Sequence, residues 1–251
     1  MTGVLLITGG ASGIGAETAR RAAKRGYKVA INYRSRDAQA MGLAADIAAQ
    51  DGEAISLPGD MANEADIVRM FTETEKVFGP ITHLVNSAGI SRQMRVDEYD
   101  AEALTRLFAV NVVGLMLCCR EAAKRMSTKH GGKGGAIVNV SSMAATIGGR
   151  TGSSAYAGTK GAVDSFTKGF AREVAAEGIR VNSLRPGMVM TEMTEVRLKE
   201  PNFLAGIQKS IPMGRVGKSL EIADAALWLL SDEAAFITGA MLDAAGGGYN
   251  I

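Results

Sequence analysis

Apolar positions along the chain follow two different spacings. Short β-rich runs recur at "VLLIT" from Val4, "KVAINY" from Lys28, "EAISL" from Glu53, "THLVN" from Thr82, "AIVNVS" from Ala136, "IRVNSLRP" from Ile179 and "AMLDAAGG" from Ala240. Between them, longer stretches such as "ETARRAAKRG", "EADIVRMFTETEKVFG" and "EIADAALWLLSD" repeat apolar residues at the period of a helix face. Strands that alternate with helices pair in parallel, because each connection has to cross over the sheet, and the helices then cover both faces. The order predicts an α/β protein: a single doubly wound domain over residues 1–251 with a parallel sheet of about seven strands. No repeat or low-complexity tract divides the chain, and "KHGGKGG" from Lys129 to Gly135 reads as a loop feeding a strand.

In such folds a ligand sits at the carboxyl ends of the strands, near the point where strand order reverses. Four stretches fall there: "TGGASGIG" after the first strand, "GDMA" after the third, "NSAG" after the fourth and "SSM" after the fifth. In the first, Gly9 permits the tight turn, Gly13 lets the backbone approach a ligand, and Gly15 lets the helix pack on the strand. The helix that follows points free amides and the positive end of its dipole at a pyrophosphate. The spacing is Gly-xxx-Gly-x-Gly, unlike the Gly-x-Gly-x-x-Gly of the general dinucleotide fingerprint. Further on, "SSAYAGTKGA" puts Tyr156 and Lys160 four residues apart, on one face of a predicted helix. A free phenol titrates near ~10, and a neighbouring ammonium favours phenolate, so the pair is a candidate acid/base device.

Composition narrows the classes. Apolar residues make up 47% of the 251 and glycine is abundant at 31, which suits a folded chain with many tight turns. The net charge is only +2, with no basic stripe, so neither nucleic acid nor an anionic membrane surface is an expected partner. Cys118 and Cys119 lie side by side in an apolar helical pattern, as small buried hydrophobes and not as a disulfide framework. His83 and His130 are far apart and lack the ligand spacing of a metal site, so no metal is expected. No apolar run approaches the ~20 residues of a membrane span, and Met1 leads directly into "GVLLITGG" without a basic leader. The expectation is a reduced, cytoplasmic protein.

With these motifs the sequence resembles the short-chain dehydrogenase/reductase family nearly end to end, leaning toward its sugar and polyol dehydrogenase branch. The family's Thr-Gly-xxx-Gly-x-Gly is matched by Thr8, Gly9, Gly13 and Gly15, and its Asn-Asn-Ala-Gly by Asn86, Ala88 and Gly89, with Ser87 for the second Asn. The resemblance implies a Rossmann-type fold, a catalytic set of Asn111, Ser142, Tyr156 and Lys160, and a Pro-Gly segment at "RPGMVMT" that holds the nicotinamide end through Pro186, Gly187, Val189 and Thr191. It also places Ser12, Ile14, Asp60 and Met61 at the cofactor, with the Asp60 carboxylate accepting from the adenine amine. Ser142 precedes Tyr156 by 14 residues, one more than is usual. Met143 at the standard offset cannot donate a hydrogen bond, so the extra residue is assigned to the loop "TIGGRTGSS", with Ser141 as the fallback.

Each assignment has a plainer alternative. Asp60 can cap the next segment, and Asn86 to Gly89 can be an ordinary turn. Asn111 can be a structural amide bonded to nearby backbone. Thr191 suits a helix N-cap before "EMTEVRLK", a role compatible with carboxamide binding.

The implied reaction is hydride transfer between a nicotinamide and a carbonyl or secondary alcohol. Tyr156 is the acid/base, Ser142 the oxygen contact, Lys160 the group that lowers the tyrosine pKa, and Asn111 the holder of a water. The acidic residue expected about twenty positions past the glycines of an NAD site is replaced by Tyr33, followed by Arg34, which predicts NADP(H). Asp37 leaves NAD(H) open as a second cofactor. Alternatives are a reductase of carrier-bound 3-oxoacyl chains, with Lys124, Arg125 and Arg172 as cations at the pocket mouth, and a dinucleotide-binding sensor without turnover. Substrate choice is assigned to the variable stretch 190–212, and a homotetramer is expected from the resemblance of "AMLDAAGGG" to the family's interface segment.

Overall fold

The computed structural model describes residues 3–248. The first half runs β1 (Val4–Thr8), α1 (Gly13–Lys24), β2 (Lys28–Tyr33), α2 (Asp37–Ala48), β3 (Glu53–Pro58), α3 (Glu64–Phe78) and β4 (His83–Asn86). There follow α4 (Ala101–Phe108), α5 (Leu115–Met126), β5 (Gly135–Val140), a single turn α6 (Ala144–Ile147), α7 (Ser154–Val174) and β6 (Ile179–Pro186). The last part holds β7 (Val189–Met190), α8 (Glu192–Leu198), α9 (Pro201–Ser210), β8 (Gly217–Lys218), α10 (Ser219–Leu230) and β9 (Met241–Ala244). The main sheet has seven strands in the order β3-β2-β1-β4-β5-β6-β9, all parallel. β7 and β8 form a separate parallel pair beside it.

Alternation along each strand feeds two cores. Leu5, Ile7, Val29, Ile31, Val85 and Val138 face one side and pack with α1, α2 and α10. Leu6, Ala30, Leu84, Ile137 and Val181 face the other, against Ile67, Met70 and Phe71 of α3, Cys118 and Cys119 of α5, and Val163 and Phe170 of α7. Burying each valine, leucine, isoleucine, methionine or phenylalanine among them is worth roughly 1.5–3 kcal/mol, which is why strands covered on both faces are apolar almost throughout. Helical backbone is continuous from Ala101 to Met126 and has the length and hydropathy of a membrane span, but half of that window is buried against the sheet. Its middle, Ala109–Gly114, is a π turn.

At the carboxyl edge the strand ends turn polar. Thr8 pairs in register with Asn86, Asn86 with Asn139, and Asn139 with Ser183, so four buried polar side chains form a row across four strands. Sheet order reverses between β1 and β4, at the start of that row.

Candidate active site

The loops leaving β1, β2, β4, β5 and β6 surround a cleft of about 810 Å³, within the ~300–1,000 Å³ range of small-molecule sites. Side chains from neighbouring strands fix its floor. Asn32, buried in β2, accepts from the Gly9 amide (3.1 Å) and donates to the Gly59 carbonyl (3.0 Å), tying the turns after β1 and β3 together. Thr8 accepts from the Ala88 amide (3.1 Å). Two residues beyond, the Asn111 side chain accepts from the Ile90 amide (2.8 Å) and donates to the Ile90 carbonyl (2.9 Å). The segment between is thereby pinned at both ends, and Gly89 lies at its centre facing the cleft.

The glycine turn has the backbone its composition calls for. Gly9 sits at φ +63°, and a Cβ there would lie 2.7 Å from the Cα of Ala88. Gly13, at φ +51°, begins α1 after Ser12 and borders the cleft near Thr191. Ser12, Ile14, Arg34, Asp60, Met61, Ala88, Pro186, Gly187, Val189 and Thr191 line the same space. A dinucleotide fits this set: bare amides open α1, a guanidinium stands at the end of β2, and at Gly89 a Cβ would come within 3.7 Å of the Lys160 Nζ.

Tyr156 and Lys160 both line the cleft one turn apart on α7. The Lys160 Nζ lies 5.7 Å from the Tyr156 ring centroid and donates to the Val140 carbonyl (2.8 Å). Burial pushes the lysine down to about 8, against the opposing pull of Asp164. The phenol is displaced upward from its ordinary value, since burial outweighs a hydrogen bond with Ser142. The direction is opposite to the lowering expected from a neighbouring Lys160, because burial of the phenol is the largest influence on it. Ser142 opens toward Tyr156 while its oxygen accepts from the Ala144 amide (3.1 Å), whereas Ser141 is buried and donates to the Lys160 carbonyl (3.2 Å).

Other assigned residues lie in the wall of the cleft or already have protein partners. Gly15 lies behind the cleft surface, in the packing role its place in the turn predicts: a Cβ on it would lie 2.4 Å from the Gly9 carbonyl. Asn86 also lies behind the wall, donating to Asn139 (2.9 Å) and Cys119 (3.4 Å). Asn111 does not reach the cleft and meets Thr159 (3.2 Å) besides Ile90. Asp60 borders the cleft but already accepts from Arg106 (2.8 and 3.0 Å). Burial pushes its carboxyl up, and hydrogen bonds from Arg106 and Ala62 with the nearby positive charge hold it below the usual carboxylate range. Lys124 and Arg125 are not at the mouth: both pair with the buried Glu121 on α5, and Arg125 also with Glu75. Arg172, near the end of α7, does not border the cleft.

Sequence reasoning missed Asn32, Arg106, Gln93 and Arg150, and covered Arg197 and Phe203 only as part of the stretch 190–212. A polar Asn inside the β-run "KVAINY" was the one legible signal among them. The stretch 190–212 does border the cleft, through Glu192, Met193, Thr194, Arg197 and Phe203 on α8 and α9.

A family model described as enoyl-(acyl carrier protein) reductase matches residues 9–250. The chain is 45% identical to the Escherichia coli (strain K12) protein named uncharacterized oxidoreductase YgfF, over 97% of this chain and 99% of that one. It is 38% identical to the mouse 3-oxoacyl-(acyl-carrier-protein) reductase over 98% of each chain. A short-chain type dehydrogenase/reductase from Mycobacterium ulcerans superposes with a TM-score of 0.92 at 31% identity, covering 98% of this chain and 89% of that one.

The buried ammonium makes a stability prediction. A folded-state value of about 8, below the ordinary 10.5, means that the unfolded chain holds the extra proton between those values, so stability rises with pH across that window. Lys160→Met should raise the unfolding free energy at about pH 7 by ~2 kcal/mol, ~3 from relief of the burial penalty less ~1 for the lost bond to Val140. The gain should shrink above about pH 8. Thermal melts at neutral and alkaline pH check this; a variant that melts lower than the parent at neutrality would mean that the ammonium stabilises the fold.

Proposed function

The chain belongs to the short-chain dehydrogenase/reductase family, and we propose that it interconverts a carbonyl and a secondary alcohol with NADP(H). One observation carries the reading: the Tyr156 phenol, the Ser142 hydroxyl and the buried Lys160 ammonium border one cleft with the amino end of α1 and Arg34. As an oxidoreductase of this family the protein is an enzyme, which sets aside the silent sensor.

When bound in this cleft, beside the amino end of α1 and Arg34, a reduced nicotinamide dinucleotide would supply the hydride. Tyr156 delivers a proton to the carbonyl oxygen, and its raised pKa keeps it protonated at neutral pH, as an acid must be. Ser142 donates a hydrogen bond to that oxygen and stabilises the charge developing there. Lys160, ionised below about pH 8, stands behind the phenol and stabilises the phenolate left after transfer. Asn111 acts as a positioning residue by fixing Ile90 and, through it, the Gly89 segment against Lys160. Its water-holding role is kept as a further part of this proposal.

Arg34 supports NADP(H) because it borders the cleft directly after β2, whereas Arg36 is paired to Glu192 and Asp37 starts α2 outside the cleft lining. A guanidinium grips a phosphate through parallel charge-assisted bonds. NAD(H) remains a slower alternative. A second reading, reduction of carrier-bound 3-oxoacyl chains, is favoured by the mouse relative's name. Among the relatives named above it is that reductase, and not a sugar or polyol enzyme, that carries a substrate in its name. Both thiols are free and buried, which fits a cytoplasmic setting. The exposed Phe108 and Val113 on the long helix and the fully exposed Phe236 support assembly, which we read as a homotetramer.

Tyr156→Phe should lower turnover by ~10²–10⁴ while leaving dinucleotide binding nearly unchanged; ample residual turnover refutes the acid/base role. The parent enzyme should favour NADPH over NADH by ~10–100-fold in kcat/KM, and Arg34→Ala should erase most of that preference through NADPH alone. Equal use of both cofactors by the parent enzyme tells against Arg34. Sedimentation should give a mass near four times the 26.2 kDa chain, and a monomer at micromolar concentration removes the tetramer.

A further inference from the structure

Two cleft-lining arginines, Arg150 and Arg197, have no counter-charge among the described residues. Arg150 lies in the loop between α6 and α7, where Gly148, Gly149 and Gly152 all take left-handed backbone with φ from +76° to +79°. Arg197 lies on α8. The two guanidinium carbons stand 5.4 and 4.3 Å from the centroid of one ring, Phe203 on α9. Gln93 joins the two sides, accepting from Arg197 (3.5 Å) and donating to the Thr151 carbonyl (3.1 Å). Arg150, Arg197, Phe203 and Gln93 all border the cleft.

Two like charges held on one ring repel, and the fold offers neither a carboxylate partner: among the described residues no Asp or Glu lies within 4.0 Å of Arg150 or Arg197. The two acids that border the cleft are already taken, Asp60 by Arg106 and Glu192 by Arg36. Burial and the charge of Arg197 both push the Arg150 pKa down. A guanidinium stacked on an aromatic face keeps its in-plane N–H donors free, which is the geometry that receives an anion through two parallel bonds.

We propose that Arg150 and Arg197 form an anion subsite and that the physiological carbonyl substrate carries a carboxylate or phosphate at the end remote from the reacting carbon. The inference rests on the carbonyl-reducing reading of the cleft and adds the substrate class to it. An anion seated between the two guanidiniums relieves their repulsion, so the subsite is completed by substrate and not by the protein.

The test uses matched pairs: straight-chain oxo-carboxylates, with one to five methylenes between carbonyl and carboxylate, against their methyl esters, and dihydroxyacetone phosphate against dihydroxyacetone. Turnover is followed by cofactor absorbance, and binding to the enzyme loaded with oxidised dinucleotide by calorimetry. At least one anion should exceed its neutral partner by ~10–100-fold in kcat/KM and in affinity. Arg150→Gln and Arg197→Gln should each remove most of that ratio by raising KM for the anion, with the neutral partner unaffected. Which series responds separates carboxylate from phosphate. Anions that bind through the arginines without turnover of any carbonyl support the subsite and overturn the activity reading instead. Neutral partners that bind and react as well as the anions, variants that lose both equally, or no binding by any anion overturn the subsite.

Discussion

A parallel sheet that reverses its winding between β1 and β4 leaves strand ends whose next peptide groups have no neighbouring strand to pair with. Much of the site follows from how those groups are satisfied. Asn32 holds the Gly9 amide and the Gly59 carbonyl, Thr8 holds the Ala88 amide, Asn111 holds both backbone groups of Ile90, and Lys160 holds the Val140 carbonyl. Each bond is local bookkeeping for the backbone, yet together they fix the walls of the cleft before any ligand arrives. Lys160 has the double role of partner for a strand end and cation beneath the phenol, and burial makes that role costly.

Charge is distributed unevenly around the cleft. Arg34, Lys160, Arg150 and Arg197 all border it, while both bordering carboxylates are neutralised by arginines of the fold. A cleft of this kind attracts anions along its whole length. The proposed NADP phosphate and the proposed anionic substrate would both be drawn by this one electrostatic arrangement. Lys124 and Arg125, which looked like surface cations available to a carrier protein, are instead consumed by Glu121, whose nearly complete burial on α5 demands several partners.

What could be read without the structure was encoded by near neighbours. Strand and helix order followed from periodicity, because each side chain's inward or outward position depends only on the pitch of its own element. The positive φ at Gly9 and Gly13 followed from a glycine-rich turn between strand and helix, and the shared face of Tyr156 and Lys160 from their separation along one helix. What the tertiary structure alone decided depends on groups brought together from distant positions. Asp60 meets Arg106 from 46 residues away, Asn111 meets Ile90 from 21, and Phe203 receives arginines from two separate segments. The direction of the Tyr156 shift belongs to the same class: the i, i+4 spacing puts a cation nearby, but desolvation depends on how much of the rest of the chain packs around the phenol, and that packing reversed the expected sign.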